Sequence, residues 1–255
     1  MLIYQFKMDL ISVIISSYNR YESLLNAIIS VKNQTYKNIE IIIINDGSSD
    51  TRYKNLKNSE NFKIIHLDEN NSRNKLGFPS CGYVRNFGFK VASGQFIAIL
   101  DDDDYWLEDK IEKQLNILLK NPNILCCCTD SYISFNPVSE NTNVTKLQIY
   151  NKEHYWEGLK KKLKLKDDFP EKINHKLINL HNIIICSSTM FRKKVFNLIG
   201  YMPEVANWKG TKGVYQDWNY WKEITKHSDI YYLREPKMIY YRRTRKKKKK
   251  KKKKS

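Results

Sequence analysis

The sequence predicts an α/β protein in which a mostly parallel central sheet lies between two layers of helices. The chain of 255 residues is 41% hydrophobic, enough for a sizeable core, which excludes a disordered chain. After residue 10, short β-branched runs alternate with longer amphipathic segments, the order typical of βαβ units. The longest apolar runs, such as Ile39–Ile44, are far shorter than the ~20 residues of a membrane span, so we expect no transmembrane segment.

The N-terminal half contains four predicted strands that alternate with three predicted helices. The strands are apolar runs of strand length at 10–15, 39–44, 62–67 and 95–100. The helices, with apolar residues at helical spacing, are 21–32, 82–92 (despite Gly88) and 107–119. Glu108 and Asp109 fall in the first turn of the last helix, where the helix dipole favours acidic side chains.

The C-terminal half is less regular after Pro122. The predicted elements are one or two strands at 124–135, strands at 183–191, 230–233 and 238–241, and helices at 193–199 and 216–226. Residues 136–180 are polar and lysine-rich and predict an irregular insertion with one helix at 154–165. We therefore expect an N-terminal extension, 1–9, and a single domain, 10–241, with halves 10–135 and 136–241.

Most of the net charge of +18 lies at the C-terminus. Arg242, Arg243, Arg245 and 246–254 contribute 12 positive charges and no acid, which leaves +6 for the rest of the chain. We expect 242–255 to be a disordered basic tail, because such a run repels itself and buries no apolar surface. It could hold an anionic lipid surface or nucleic acid. A solvated extension is the simpler interpretation, since a lysine run offers no aromatic ring on which bases stack.

The five cysteines indicate free thiols in a reducing compartment. They form no CxxC pair, and the five histidines do not supply the short spacings of a zinc site. Three of them, Cys126–Cys128, lie in an apolar stretch and are expected to be buried. Residues 1–8 show no signal peptide. These features predict a cytoplasmic protein, with peripheral contact to a membrane left open.

Polar clusters follow three of the predicted strands. They are Ser16–Asn19, Asn45–Asp46 and Asp101–Asp104. Ligands of open α/β sheets bind outside the carboxyl ends of the strands, so we expect the three clusters to share one crevice. The alternative is that these residues are polar only because they lie in loops. That alternative explains one cluster easily, but it explains three clusters less well.

The four adjacent carboxylates of Asp101–Asp104 repel one another, so a cation would stabilise them. Hard oxygen ligands suit Mg²⁺ or Mn²⁺, which would in turn bind the phosphates of a substrate. The alternative is a solvated acidic turn that caps the next helix. The chain has no GxGxxG turn, no GxxxxGK[ST] loop and no GxSxG elbow. With these three phosphate-binding or nucleophile motifs absent, the remaining class is an enzyme with a central sheet that binds phosphates through a metal ion.

Several motifs in order resemble family 2 glycosyltransferases, which have the GT-A fold. Ile11–Arg20 is similar to the opening strand of that family, and the spacing to Gln34–Tyr36 and Asn45–Asp50 is also similar. The segment Arg85–Gly88, which precedes Gly94, is also similar to that family's sequence. Leu100–Trp106 is similar to the family's Asp-x-Asp metal loop. The resemblance is strong over residues 10–120 and weaker over 183–241.

The resemblance implies an inverting hexosyltransferase that moves a sugar from a nucleotide diphosphate to a hydroxyl of a glycan, lipid or protein. A carboxylate that accepts from uracil N3–H points to a UDP-sugar donor. The implied donor-site residues are Ser16, Tyr18 and Asp46 at the base and Asp102 at the ribose. Asp101 and Asp103 would bind Mn²⁺ or Mg²⁺, and Arg85 would lie near the phosphates or near the acidic loop, Asp101–Asp104. For Arg85, a solvated position on a surface helix is the simpler alternative.

The resemblance also implies that Asp217 is the catalytic base, in a segment similar to the family's Glu-Asp pair. Inversion requires a carboxylate on the face opposite the leaving nucleotide. The alternative role for Asp217 is a helix N-cap. Gln216 stands where the family commonly has glutamate, which leaves an acceptor-orienting role there in doubt. Trp208, Trp218 and Trp221 lie in the segment that would shape the acceptor site, and the aromatic faces of Trp208 and Trp218 are the candidates to contact a sugar. The alternative is packing in the core, which applies above all to Trp221, one turn into the predicted helix.

Two other function classes stay open. One is a catalytically silent relative that binds nucleotide-sugars. The other is a binder of nucleic acid or of an anionic surface that acts through the basic tail, for which nucleic acid is the less favoured partner. Neither class explains why the acidic residues follow strands.

Overall fold

The structure is a computed structural model that describes residues 9–68, 71–150, 156–164, 169–205, 207–208, 211–212 and 215–243. The predicted N-terminal extension, except for Asp9, and the predicted disordered tail from residue 244 onward lie outside the described residues.

The described residues form the strands and helices of an α/β protein. The strands are β1 (Ile11–Ser17), β2 (Ile39–Asn45), β3 (Phe62–His66), β4 (Phe96–Asp101), β5 (Tyr105–Trp106), β6 (Cys126–Ser134), β7 (Gln148–Ile149), β8 (Lys172–Ile173), β9 (Thr189–Arg192), β10 (Asn207–Trp208), β11 (Thr211–Lys212) and β12 (Ile230–Tyr241). The helices are α1 (Tyr21–Lys32), α2 (Asn71–Leu76), α3 (Cys81–Val91), α4 (Lys110–Lys120), α5 (Trp156–Leu163), α6 (His175–Leu180), α7 (Val195–Ile199) and α8 (Gln216–Thr225). Short 3₁₀ helices lie at Thr51–Asn55, Val144–Lys146 and Cys186–Ser188.

One sheet runs through the molecule in the order β3-β2-β1-β4-β9-β6-β12-β5. The pairs from β3 to β4 are parallel, as are β6 and β12, whereas β9 is antiparallel to both β4 and β6. β7 and β8 pair with β6 and β12 beside the main path, and β10 pairs with β11 in a separate ribbon. Of the parallel strands, β1, β2 and β4 consist mainly of continuous apolar runs, as expected for strands buried on both faces.

Alternate side chains of the central strands enter two hydrophobic cores, one on each face of the sheet. Ile14 and Ile42 pack with α3 and α8, whereas Val13 and Ile43 pack with α1 and α4. Gly88 allows α3 to lie close to the sheet, because a Cβ there would approach Ile14 Cγ2 to 2.8 Å. The predicted arrangement of a central sheet between two helical layers is confirmed.

Several predicted boundaries need correction. Helix α4 begins at Lys110, so Glu108 and Asp109 precede its first turn, and Asp109 Oδ2 instead accepts from Lys237 Nζ at 2.8 Å. The two closing strands are one strand, β12, whose register with β6 shifts on both sides of Pro236. Proline has no N–H for the ladder, which explains the irregularity at that point.

Other elements differ from prediction because contacts distant in sequence decide them. Only the end of the predicted strand 183–191 is extended, as β9, because Cys186–Ser188 forms a 3₁₀ turn. The segment 124–135 is a single strand, β6, and the polar insertion contains α6 in addition to the predicted helix, α5.

The prediction of free, mostly buried cysteines is confirmed, with Cys81 exposed. Of the helices that the structure describes, none is both long and apolar enough to cross a bilayer.

Lys110 is a fully buried cation in the core beneath α4. Its Nζ donates to Gln114 Oε1 at 2.6 Å and lies 4.0 Å from the centre of the Trp106 ring. Burial lowers the pKa of Lys110 to about 7. A lysine in the unfolded chain has a pKa of ~10.4, so the unfolded state binds more protons between these two values.

We expect Lys110→Met to remove a pH dependence of stability. The wild-type free energy of unfolding should rise as pH increases from about 7 to ~10, by up to ~1.4 kcal/mol per pH unit from this one group. Thermal unfolding at several pH values measures the slope, which should be smaller for Lys110→Met than for the wild type. Lys120→Met, at the exposed end of the same helix, is the control and should keep the wild-type slope. Equal slopes for all three proteins would contradict the prediction.

Candidate functional site

A cavity of about 1060 Å³ opens at the carboxyl ends of the central strands. Its lining residues are Ser16, Ser17, Tyr18, Arg20, Asp46, Ser72, Arg73, Pro79, Ser80, Cys81, Val84, Asp101, Asp102, Asp103, Phe135, Tyr240, Tyr241, Arg242 and Arg243. The strand register explains this convergence. β1 lies between β2 and β4, so Ser16 is opposite Asp101 and Ser17 is opposite Asn45. The three polar clusters therefore meet, as the sequence predicts.

One side of the cavity is formed by Tyr18, Ser16 and Asp46. Tyr18 is 41% exposed and Ser16 is half-buried, so both are accessible to a ligand. Asp46 is buried and its carboxylate is held by Ser72, whose N–H donates to Oδ1 at 3.1 Å and whose hydroxyl donates to Oδ2 at 2.9 Å. Ser72 lies on α2, a helix that the sequence analysis missed. These residues supply an aromatic face beside a fixed hydrogen-bond acceptor.

A chain of hydrogen bonds fixes Asp102 in the acidic loop. The Ser17 hydroxyl donates to Asp102 Oδ2 at 2.7 Å, so Ser17 Oγ accepts from the Tyr53 hydroxyl at 2.6 Å. The Arg20 N–H donates to Tyr53 Oη at 3.0 Å, and Arg20 Nη1 donates to Asp102 Oδ1 at 2.8 Å. Burial raises the pKa of Asp102, while Arg20 opposes that rise. The orientation of Asp102 is thus set by Ser17 at the end of β1 and by Arg20, which directly precedes α1.

Asp103, like Asp101, is partly exposed. Its Oδ2 accepts from Arg20 Nη1 at 3.0 Å and lies 3.4 Å from Arg243 Nε. Burial, followed by the nearby charge of Asp101, raises the pKa of Asp103 to about 6. The charges of Arg20 and Arg243 lower the pKa of Asp103 but do not offset these two effects.

Asp104 differs from its neighbours because it turns into the protein. It is fully buried, and its Oδ1 accepts from the Tyr241 N–H at 2.9 Å. Burial raises the pKa of Asp104 well above its usual range. Asp104 thus links the acidic loop to the end of β12 and is not part of the cavity lining.

Arg85 lies beneath the acidic loop. It is buried, and its Nη2 donates to Asp101 Oδ1. The simple alternative of a solvated arginine is therefore wrong. The two predicted roles were to position the phosphates or the acidic loop. The structure shows the contact with the acidic loop, and Arg85 is not among the described lining residues of the cavity.

Asp217 is the second residue of α8, and its Oδ1 accepts from the Trp218 N–H at 2.7 Å. The N-cap is Tyr215, with φ of 65°, so the alternative role of Asp217 as the N-cap is wrong. Burial raises the pKa of Asp217, and the charge of Arg85 opposes this rise. Asp217 is not among the described lining residues of the cavity, and the charges of Arg85 and Asp101 both act on its carboxylate.

Of the two tryptophans expected at the acceptor site, the structure describes the side chain of Trp218, which is not among the described lining residues of the cavity. Trp218 is buried, and its indole N–H donates to the Ile178 carbonyl at 2.7 Å. Lys222 Nζ lies 3.9 Å from its ring centre. Trp218 is thus a core residue, which corrects its expected acceptor role, and Trp221 is also buried. Trp208 lies in β10, and its side chain is outside the described residues.

The sequence analysis missed several residues of the cavity. Arg20 donates to Asp102 and Ser72 donates to Asp46. Tyr53, which is not among the lining residues, contacts Ser17 and the Arg20 N–H. Arg242 and Arg243 line the cavity, although they were predicted as part of the tail. Arg20 carried a usable signal, because it directly follows the first polar cluster. Nothing in the sequence pattern indicates Tyr53 or Ser72, whose roles depend on contacts with other strands.

The residues present fit a divalent cation at Asp101 and Asp103. Among the described residues, no three His, Cys, Asp or Glu side chains form a ready cluster for a metal ion. Mg²⁺ often takes only one or two protein carboxylates, with substrate phosphates as further ligands. The raised pKa of Asp103 fits a site where a cation would compensate carboxylate charge. Two hard oxygen donors beside an open cavity are therefore a suitable donor set.

Comparison with known proteins identifies a family match and relatives. The model of "Glycosyl transferase family 2" matches residues 12–200. A UDP-Glc:alpha-D-GlcNAc-diphosphoundecaprenol beta-1,3-glucosyltransferase of Escherichia coli, WfaP, is 37% identical over 111 residues, which cover 44% of this chain and 42% of that protein. An uncharacterized glycosyltransferase of Rickettsia prowazekii is 32% identical over 229 residues, covering 89% of this chain and 62% of that protein. The chain therefore matches less than two thirds of the length of either relative.

Solved structures of S. aureus TarS share the fold. The complex of TarS 1-349 with UDP-GlcNAc has a TM-score of 0.62 and 15% sequence identity, covering 93% of this chain and 60% of that chain. A complex with UDP has a TM-score of 0.60. At this identity the likeness concerns the fold alone, and it confirms the predicted three-layer architecture of the GT-A type.

Proposed function

Because this chain belongs to glycosyl transferase family 2, we propose that it is an inverting glycosyltransferase that uses a UDP-sugar donor. The observation that carries the proposal is the convergence of Tyr18, Asp46 and the acidic loop in one cavity. A relative named for its UDP-Glc donor and the TarS complex with UDP-GlcNAc support the choice of UDP.

The cavity offers suitable groups for each part of the donor. The exposed ring of Tyr18 stacks on the base, and Asp46 accepts from uracil N3–H. Each carboxylate oxygen has two lone pairs, so Asp46 keeps acceptor capacity while it is held by Ser72. Asp102, fixed by Ser17 and Arg20, accepts from the ribose.

Asp101 and Asp103 would hold Mn²⁺ or Mg²⁺ beside the diphosphate. When bound, the cation supplies charge stabilisation to the leaving nucleotide. Arg85 holds Asp101 from below, which orients the acidic loop for this role.

Asp217 acts as the general base. The acceptor hydroxyl attacks the anomeric carbon, the bond from that carbon to the diphosphate oxygen breaks, and the hydroxyl proton moves to the Asp217 carboxylate. The raised pKa of Asp217 makes it a stronger base than an ordinary carboxylate. Activity should therefore fall as pH decreases through this raised pKa, because the protonated acid accepts no proton.

The acceptor we propose is a sugar carried on a lipid diphosphate. E. coli relatives of this chain are named for GlcNAc-diphosphoundecaprenol acceptors. Phe135, 48% exposed at the cavity, provides an aromatic face on which a sugar ring packs. An acceptor of this kind places the enzyme in peripheral contact with a membrane.

A donor screen tests the proposal. The purified protein is incubated with UDP-, GDP- or dTDP-sugars and a GlcNAc-diphosphate lipid, with and without Mn²⁺, and released nucleotide is measured. We expect release of UDP, higher with Mn²⁺ and higher with the acceptor present. Binding of UDP without turnover of any donor would instead indicate a catalytically silent relative.

A further inference from the structure

The chain between α6 and β9 is fixed at both of its ends beside the functional site. At its start, the Trp218 indole N–H donates to the Ile178 carbonyl at 2.7 Å, and the centres of the Trp218 and His181 rings are 6.4 Å apart. At its end, the Ser187 hydroxyl accepts from the Asp101 N–H at 2.9 Å. This connection therefore runs from the helix that carries the proposed base to the acidic loop.

Asn182, within this connection, hydrogen-bonds to the proposed base. Its Oδ1 accepts from the Ile184 N–H at 3.3 Å, which fixes the orientation of the amide. The Asp217 carboxylate accepts a hydrogen bond from the Asn182 side chain, in which Nδ2 is the donor because the amide oxygen has no hydrogen. Asp217 Oδ1 also accepts from the Trp218 N–H at 2.7 Å. Asp217 is thus held by one donor on its own helix and by one on the connection before β9.

The charged and titratable groups around Asp217 act on it in a different way. They are Arg85 and Cys81 on α3, Asp101 at the end of β4, and His181 and Cys186 on the connection before β9. Burial lowers the pKa of His181 and raises that of Cys186 well above its usual range, so both are uncharged at neutral pH. Arg85 donates to Asp101 and acts on Asp217 through its charge. Asn182, in contrast, supplies a direct hydrogen bond that does not depend on pH.

The geometry of a carboxylate explains why a second donor matters for a base. Rotation about the Cβ–Cγ bond of an aspartate is only weakly restricted, so a single hydrogen bond leaves the plane of the carboxylate free to turn. A general base must lie within ~2.6–3.2 Å of the hydroxyl oxygen whose proton it takes. A misplacement of ~1 Å can reduce the rate by ~10²-fold. A donor that fixes the plane of the Asp217 carboxylate therefore contributes to the rate of transfer.

We propose that Asn182 is a positioning residue for the transfer reaction, and that it holds the Asp217 carboxylate with an oxygen toward the acceptor hydroxyl. The inference rests on the proposed role of Asp217 as the base and adds the residue that holds this base. The hydrogen bond from Asn182 is also stronger to a carboxylate than to a carboxylic acid, so it favours the form of Asp217 that accepts a proton. Loss of this donor should raise the pKa of Asp217 and reduce the rate of transfer.

Asn182→Ser tests the contact. Serine can still accept from the Ile184 N–H, as serine hydroxyls do in turns, but its side chain is one atom shorter than that of asparagine. With Mn²⁺ and saturating donor and acceptor, the single-turnover rate constant should fall about tenfold, and the acidic limb of its pH profile should move up by about one pH unit. The limb moves up because a base of higher pKa is already protonated at a higher pH. UDP affinity should match the wild type, because Asn182 is not among the described lining residues of the donor cavity.

Asn182→Asp tests the direction of the effect. Its Oδ1 can accept from the Ile184 N–H as before, but a second carboxylate replaces the donor, and a like charge raises the pKa of Asp217 further. The acidic limb should therefore lie above that of Asn182→Ser. The matched control is Asn179→Ser on α6, where Asn179 is exposed and its amide donates to the His175 carbonyl at 2.9 Å. This variant should have the wild-type rate constant and the wild-type limb.

The outcomes separate this inference from the proposed function. If Asn182→Ser keeps the wild-type limb, whether or not its rate constant falls, Asn182 does not hold the base, and the inference is overturned while the proposed function stands. A loss of UDP affinity as large as the loss of rate would also overturn it. If the wild type transfers no sugar from any UDP-sugar, both are overturned. The limb is read from rates normalised within each variant, so a variant with a smaller folded fraction still reports its position.

Discussion

Asp217→Asn is expected to reduce kcat by ~10²–10⁴-fold while the affinity for UDP stays unchanged. Asparagine has nearly the same shape, and its Oδ1 can still accept from the Trp218 N–H, as Asp217 does at 2.7 Å. It cannot take the proton of the acceptor hydroxyl. Steady-state kinetics with the donor found in the screen measure kcat, and calorimetry measures UDP affinity.

The control for this experiment is Asp229→Asn. Asp229 directly precedes β12, at the end of the strand opposite the cavity, so this variant should have wild-type kcat. The pH profile adds a second readout. The wild type should lose activity as pH falls, with its acidic limb above the range of an ordinary carboxyl because burial raises the pKa of Asp217. Normal turnover by Asp217→Asn would show that the base has been assigned wrongly.

Asp103→Ala is expected to lower kcat/KM by at least ~10²-fold, because several kcal/mol of charge stabilisation depend on a metal ligand. It should also remove most of the gain in UDP affinity that Mn²⁺ provides. Without Mn²⁺ its UDP affinity should not fall, since a negative charge near the diphosphate has been removed. UDP titrations with and without Mn²⁺, together with turnover measurements, separate these effects.

Asp229→Ala is again the matched control, because it removes a carboxylate at the far end of β12. Its UDP affinity should respond to Mn²⁺ as the wild type does. If Mn²⁺ increased the UDP affinity of Asp103→Ala as much as that of the wild type, Asp103 would not be a ligand of the cation.

The central strands were predictable because burial on both faces leaves a clear mark in the sequence. The apolar runs that contain Val13, Ile42 and Ile99 became β1, β2 and β4, and the polar residues after them meet at one cavity. The rule that ligands bind at the carboxyl ends of such strands then placed Ser16, Asp46 and Asp103 correctly in that lining.

The contacts around those acids were not predictable, because they join residues distant in sequence. Arg20 pairs with Asp103 across 83 positions, and Tyr241 donates to Asp104 across 137. Spacing cannot reveal such pairs. Trp218 shows a different limit, since an aromatic residue in an amphipathic helix has the same pattern whether it packs in the core or contacts a sugar.

One feature of the sheet affects how the two halves of the chain can move and recombine. β9, from the second half, is hydrogen-bonded between β4 and β6 of the first half. A hinge motion that separates the two halves would therefore break backbone hydrogen bonds in the middle of the sheet. An exchange of the second half between related proteins would also replace β9, a strand in the middle of the sheet, so residues 10–135 do not form an independent module.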